Sequence, residues 1–191
     1  MRRSYAQLRR LYRRFGASTR GIAAVEFAMV LPVLAMLFLA AFDGGRAIAI
    51  YLKVRAATYA LASITNQYQT ISSSEMQTIT AATAVIMQPY PSLPTVVTIS
   101  QIAISNKGAA TVAWSYSLGG TALTQGAPFT LPSANLATPS TYLVYAQVSY
   151  LFTPLFGYFT AGTINFSDYL YVTPRSSNCI AYTPETGASC T

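Results

Sequence analysis

The run Ile22–Phe42, IAAVEFAMVLPVLAMLFLAAF, holds 21 residues and a single charge, and it restricts the chain more than any other feature. At a rise of ~1.5 Å per residue, a helix of this length reaches about 30 Å, the thickness of one bilayer core. The flanking charges give it a direction. Arg2, Arg3, Arg9, Arg10, Arg13, Arg14 and Arg20 all precede residue 21 with no acid among them, against Arg46, Lys53 and Arg55 soon after the run. The positive-inside bias therefore predicts a cytoplasmic N-terminus and export of everything beyond the run. Pro32 would cost about 3 kcal/mol in a soluble helix interior, but membrane helices accommodate proline, so a kink and not a break is expected.

The leader also settles what the net charge of +7 means. Its seven arginines account for the whole excess, since the remaining bases (Arg46, Lys53, Arg55, Lys107, Arg175) balance the acids (Glu26, Asp43, Glu75, Asp168, Glu185). The exported part is close to neutral, which argues against a nucleic-acid-binding face. A cleavable secretory signal is disfavoured, because the apolar run is long and Phe42-Asp43-Gly44 is a poor small-residue cleavage site. The paired arginines invite a twin-arginine export reading, yet Phe15 follows Arg14 directly and basic pairs in a leader usually serve as retention charge. A plain membrane anchor remains, and Glu26 is the residue it does not explain.

An ionisable group inside a membrane segment costs roughly 2.5 to 3.5 kcal/mol at the centre and less near the end. Gly21 stands between the basic leader and the apolar run, and Glu26 lies five residues past it, followed by Phe27. Cleavage after Gly21 would give Ile22 a new ammonium group one helical turn from the Glu26 carboxylate. The two could neutralise one another within one chain or between neighbours in an assembly.

The stretch Gly21-Ile-Ala-Ala-Val-Glu26-Phe27, continuing Ala-Met-Val-Leu-Pro-Val-Leu and later Gly45-Arg46, resembles the TadE-like pseudopilins of tight-adherence (Flp-type) pilus systems. Their processing pattern of glycine, four residues, glutamate and an aromatic aligns here without gaps over residues 21 to 46. Val172-Thr-Pro-Arg175 matches more loosely, in the manner of a closing strand of such proteins. The resemblance implies processing at Gly21 and Ile22 by a prepilin peptidase, with Glu26 and Phe27 serving assembly. It also implies a minor subunit, since the major pilins of these systems are far shorter. The implied partners are the membrane, the peptidase, other pilin or pseudopilin subunits and the assembly platform. The implied role is assembly of a pilus used in surface attachment. An uncleaved inner-membrane scaffold for a pilus or secretion machine is the alternative.

Beyond the membrane the helical pattern continues. Ile50, Val54, Ala57, Leu61, Ile64 and Tyr68 recur at spacings of four and three, a seam for the chain's own domain or for another subunit. Ser72 and Glu75 form a capping box, with Ile71 and Met76 placed as a hydrophobic staple. Met76, Ile79, Ala82 and Ile86 mark the buried face of the second helix, which Pro89, Pro91 and Pro94 end.

From Thr95 the pattern becomes that of strands. Val96–Ile104, a turn at Asn106-Lys107-Gly108, and an alternation that aligns Val112, Trp114, Tyr116 and Leu118 predict a hairpin with one apolar face. Residues 119–140 form a long loop opened by Gly119-Gly120, and strand character resumes over Tyr142–Phe152 and Ile164–Thr173. The fold class is α+β: a long N-terminal membrane-spanning helix, then a small exported domain with a second helix and an antiparallel sheet of about four strands. The expected divisions are a basic leader at 1–21, the membrane and membrane-proximal helix at 22–70, the exported domain at 71–175 and a tail at 176–191. The aromatic connection Thr153–Ala161, TPLFGYFTA, is either a loop folded over the sheet or an exposed patch for a partner.

Chemistry-bearing groups are sparse. The absence of histidine excludes Ser-His-Asp and Cys-His arrangements, and the few carboxylates are too scattered to form an acid/base pair. No phosphate-cradling glycine loop, metal site, cofactor or small-molecule substrate is indicated, and the chain is not expected to be an enzyme. Cys179 and Cys190 are too far apart for a redox Cys-x-x-Cys pair. In an exported, oxidising location a disulfide between them is favoured, closing an otherwise polar and loose tail and worth up to roughly 3 kcal/mol.

Overall fold

The structure, a computed structural model, describes residues 20–93, 95–155 and 162–183. The chain divides into two compact units, Met1–Gly45 and Arg46–Thr191. Helix α1, Arg20–Thr65, runs through Pro32 without a break. In the first unit its residues 21–45 are exposed almost throughout.

The second unit is the α+β domain. After α1 come β1 (Thr70–Ile71), α2 (Ser73–Met87), β2 (Thr95–Ile104), β3 (Ala110–Leu118), a short 3-10 turn (Ala134–Leu136), β4 (Thr141–Phe152), β5 (Ile164–Val172) and β6 (Ala181–Tyr182). Strands β2 to β5 form an antiparallel sheet in the order β3-β2-β4-β5, and β1 pairs with β6 in parallel. Pro94 and residues 156–161, which hold most of the aromatic connection, lie outside the described residues.

One face of the sheet packs on the helices. Ile50, Val54, Ala57 and Leu61 of α1 join Met76, Ile79 and Met87 of α2 against Val97, Ile99, Trp114, Val144, Val148, Tyr150 and Phe152. The expected seam on α1 therefore faces the chain's own core over most of its length, with one correction. Ile64 is exposed, while Thr58, Ala62 and Thr65 are buried, so the buried arc is rotated towards the threonines. Thr58 tolerates this because its hydroxyl donates to the Val54 carbonyl one turn back, at 3.0 Å. Tyr68, expected on the same seam, lies past the helix end and is half-buried.

Helix α2 begins as the sequence predicts. The Ser72 backbone N–H donates to the Glu75 carboxylate at 2.8 Å, Glu75 N–H donates to Ser72 Oγ at 3.3 Å, and Ile71 and Met76 are both fully buried. Its buried face is Met76, Ile79, Thr80, Thr83 and Met87, and the expected Ala82 and Ile86 are only half-buried. Thr80 again donates back, to the Met76 carbonyl at 2.9 Å, which lets a threonine face the core.

The β2–β3 hairpin departs from the expected single apolar face. Gln101 pairs with Trp114, but the next residue, Ile102, pairs with Val112, so β3 carries one extra residue at Ala113. This bulge reverses which side the strand's residues face. Trp114 lies with the helix-facing core, whereas Val112 joins Ile102, Ile104, Leu143 and Tyr145 in a second cluster on the opposite face. The loop after β3 covers that cluster with Phe129, Leu131 and Leu136. The same loop also binds the open edge of β3, where Val112 N–H donates to Ala127 O at 3.0 Å and Phe129 N–H to Ala110 O at 2.9 Å. Gly119 starts the loop at φ +78°, and a Cβ there would stand 2.8 Å from the Thr95 carbonyl oxygen, so glycine is required on both counts.

Residues 176–183, expected to be loose, are docked. Cys179, Ile180 and Tyr182 are buried. The segment fastens to the end of α1: Arg175 N–H donates to Asn66 O at 2.9 Å, Ser176 Oγ to Gln67 O at 2.7 Å, and Ala181 N–H to Gln69 O at 3.0 Å. Carbonyls just past a helix C-terminus need such partners, and a returning strand supplies them here.

Candidate membrane and assembly segment

The residues singled out for processing and assembly all lie in the first turns of α1. Gly21, Ile22, Glu26 and Phe27 are exposed, with Ile22 at 58% and Phe27 at 60%. Ile22 and Glu26 are four residues apart in the helix, which sets their side chains on one face, one turn from each other. A Cβ added at Gly21 would meet nothing within 4 Å, so no packing among the described residues calls for glycine at that position.

Past these residues the helix presents Met29, Leu31, Leu34, Leu37, Phe38 and Phe42 outward, from 49% to 72% exposed. A core helix of a soluble domain would bury such residues, and none of this apolar window is buried. Among the described residues α1 is the single helix long and apolar enough to cross a membrane. Water does not tolerate an apolar surface of this size around a whole helix, whereas lipid solvates it.

The two cysteines stand differently. Cys179 is buried and disulfide-bonded, while Cys190 lies outside the described residues. Among the described residues no group of three or more His, Cys, Asp or Glu side chains could hold a metal ion. The other perturbed groups serve structure. On the outer face, burial first and then the neighbouring Tyr145 and Tyr169 push the Tyr171 hydroxyl up to about 12. Exposed Glu75 is held below the ordinary carboxylate value by its hydrogen bonds from Ser72, first the backbone and then the hydroxyl.

Sequence reasoning missed a buried polar cluster in the second unit. The Trp114 indole N–H donates to Ile180 O at 2.7 Å and lies 3.2 Å from Gln101 Oε1, which also accepts from Ile180 N–H at 2.8 Å. The sequence signals were a lone glutamine within an apolar strand and the chain's single tryptophan.

Fold and segment together define a class: a small α+β domain carried on one exposed apolar helix with the length and composition of a single-pass membrane anchor. The segment is similar to a known family: residues 21–63 match the family model described as TadE-like protein. The match begins at Gly21 and ends two residues before α1 does. Val172–Arg175 lies outside it; there Val172 closes β5 and Arg175 joins the end of α1. Neither a curated protein nor a solved structure gives a significant match.

Proposed function

We propose that this chain is a minor pseudopilin of a tight-adherence (Flp-type) pilus system used in surface attachment. Its basic leader stays in the cytoplasm, a prepilin peptidase cuts after Gly21, and residues 22–42 hold the product in the inner membrane with the α+β domain exported. The N-terminal helix then enters or primes the filament through contacts with other pilin or pseudopilin subunits and the assembly platform.

The observation that carries this reading is that the TadE-like match starts at Gly21, in the first turn of α1 and just before the apolar run, with Ile22, Glu26 and Phe27 exposed beside it. Two further points support it. Among the described residues nothing lies within 4 Å of a Cβ added at Gly21, so its small size suits an outside agent such as a peptidase. The carboxylate of Glu26 is costly in lipid unless an amine meets it, and a new N-terminus at Ile22 supplies one, in the same chain or in a neighbour. A plain scaffold anchor has no use for either feature.

Glu26→Gln tests the assembly role. The neutral side chain is expected to leave synthesis and insertion intact while filaments are lost, in cells lacking the native copy. Membrane levels are read by immunoblot and filaments are counted by electron microscopy. Normal filaments at normal protein levels would leave Glu26 with only helix-end electrostatics, about 0.3 to 1 kcal/mol, or recognition by the peptidase.

A further inference from the structure

Residues 108–167 contain no charged side chain, and they supply β3, the loop after it, β4 and the start of β5. Much of the sheet face turned away from the helices is built from this stretch. On β4, alternation sets Tyr145, Gln147 and Ser149 on that face, paired across the ladder with Tyr171, Tyr169 and Ser167 of β5. Asp168, between Ser167 and Tyr169 in sequence, falls on the helix side. Towards β2 and β3 the face is closed by the loop. Phe129 packs on Tyr145 and Tyr171 at 5.3 and 6.3 Å between ring centroids, and Leu123 N–H donates to Ser115 Oγ at 2.9 Å. The part left open carries Tyr169, 52% exposed, with Gln147, Ser149 and Ser167 half-buried around it.

This patch joins a supported ring to positioned hydrogen-bonding groups. The Tyr145 hydroxyl donates to Gln147 Oε1 at 2.8 Å, and Gln147 Nε2 donates to Ser167 Oγ at 3.1 Å. The relay fixes the amide before any ligand arrives, yet it uses only one of the two amide N–H groups and leaves the Ser167 proton for a further partner. The Tyr169 ring stands beside the amide, braced by Tyr171 edge-to-face at 5.7 Å and by Tyr145 at 6.4 Å.

Charge complementarity narrows the partner. A face built without cations gives no hold to phosphates, so it suits neither a nucleic acid nor an anionic headgroup. Protein interfaces centre on apolar, aromatic and arginine side chains and are poor in serine, whereas serines and an amide border the ring here. A sugar meets both halves of the patch: the C–H face of a pyranose stacks on an exposed aromatic ring, while its hydroxyls exchange hydrogen bonds with amides and hydroxyls. The register sets these groups at matching distances, since Gln147 is directly opposite Tyr169 and Ser167 lies two residues, about 7 Å, along β5. We infer that this β4–β5 patch binds an uncharged polysaccharide, with Tyr169 as the stacking platform and Gln147 and Ser167 as the hydrogen-bonding groups. The site lies wholly within the α+β unit and does not depend on cleavage after Gly21.

Retention of the detergent-solubilised full chain on beads tests this, with cellulose, amylose, dextran, mannan and chitin as the uncharged polymers and alginate as the charged one. The expected result is retention on at least one uncharged polymer, unchanged when salt is raised and reversed by soluble fragments of the same polymer. Tyr169→Ala is expected to weaken that binding roughly tenfold, the loss of one ring contact. Ser149→Arg, which removes no packed ring, is expected to block the patch as well. Tyr59→Ala, which removes a ring 47% exposed on α1, should bind as the native chain does. Emission from the fully buried Trp114 reports that each variant is folded. No retention on any uncharged polymer overturns the proposal, as does retention that salt abolishes, that alginate exceeds, or that the folded Tyr169 and Ser149 variants keep in full. A fall in oligomer mass of Tyr169→Ala by light scattering, with polysaccharide retention unaltered, would assign the face to a second copy of the chain and also overturn it.

Discussion

Gln101 lies on the helix-facing side of β2 among Val97, Ile99 and Trp114, where a long polar side chain would ordinarily cost stability. It is kept because its carbonyl oxygen receives both the indole N–H and the backbone N–H of Ile180, an amide that arrives from the far end of the chain. Gln101→Leu is expected to strand the Ile180 N–H in the core and to destabilise the domain by about 1–3 kcal/mol, read as a lower denaturant midpoint with unchanged slope. An unchanged midpoint would mean that this cluster does not hold the closing segment. The lone glutamine and the single tryptophan did not reveal this pairing, because a glutamine in a strand reads as solvent-facing until its partner is known, and the partner is 79 residues away. Gly21, Glu26 and Phe27 are proposed on signals of the opposite kind, local spacing and a charge within an apolar run.

At the scale of elements, the best-read feature is the start of α2. Ser72→Ala removes the acceptor for the Glu75 N–H and is expected to cost about 0.5–2 kcal/mol in thermal or chemical unfolding. The cap has a pH signature as well. Glu75 has its folded-state value lowered from the ordinary 4.5, so its contribution is present above that value and fades as pH falls through the depressed one. Glu75→Gln should flatten the acid limb of the stability profile in that window, and an unaltered limb would show that other carboxylates govern it. Capping boxes, turns and apolar alternation are legible because each is decided within a few residues. The bulge at Ala113 was not, since a single inserted residue leaves the period-two pattern intact on either side while exchanging the faces. The β1–β6 pairing, two residues on each strand and far apart in sequence, carries no local pattern at all.

For the whole molecule, the architecture was readable because the apolar run, the second helix and the four strands follow one another in blocks. The closing segment was misjudged because its polar composition hides three buried residues, Cys179, Ile180 and Tyr182, whose worth depends on the core they enter. Cys179 is disulfide-bonded, and we propose Cys190 as its partner. Thiol labelling under denaturing conditions is expected to modify neither cysteine until reductant is added, whereas two freely labelled thiols in unreduced protein would exclude the bridge. The central claim concerns the other end of the chain, where we propose that a basic leader, a glycine and a glutamate in an apolar helix mark a processed pseudopilin. Intact mass and N-terminal sequencing of the protein purified from native membranes test it most directly. The account predicts a chain of 170 residues (191 less the 21 of the leader) that begins at Ile22. Recovery of the protein with its arginine-rich leader intact would contradict it.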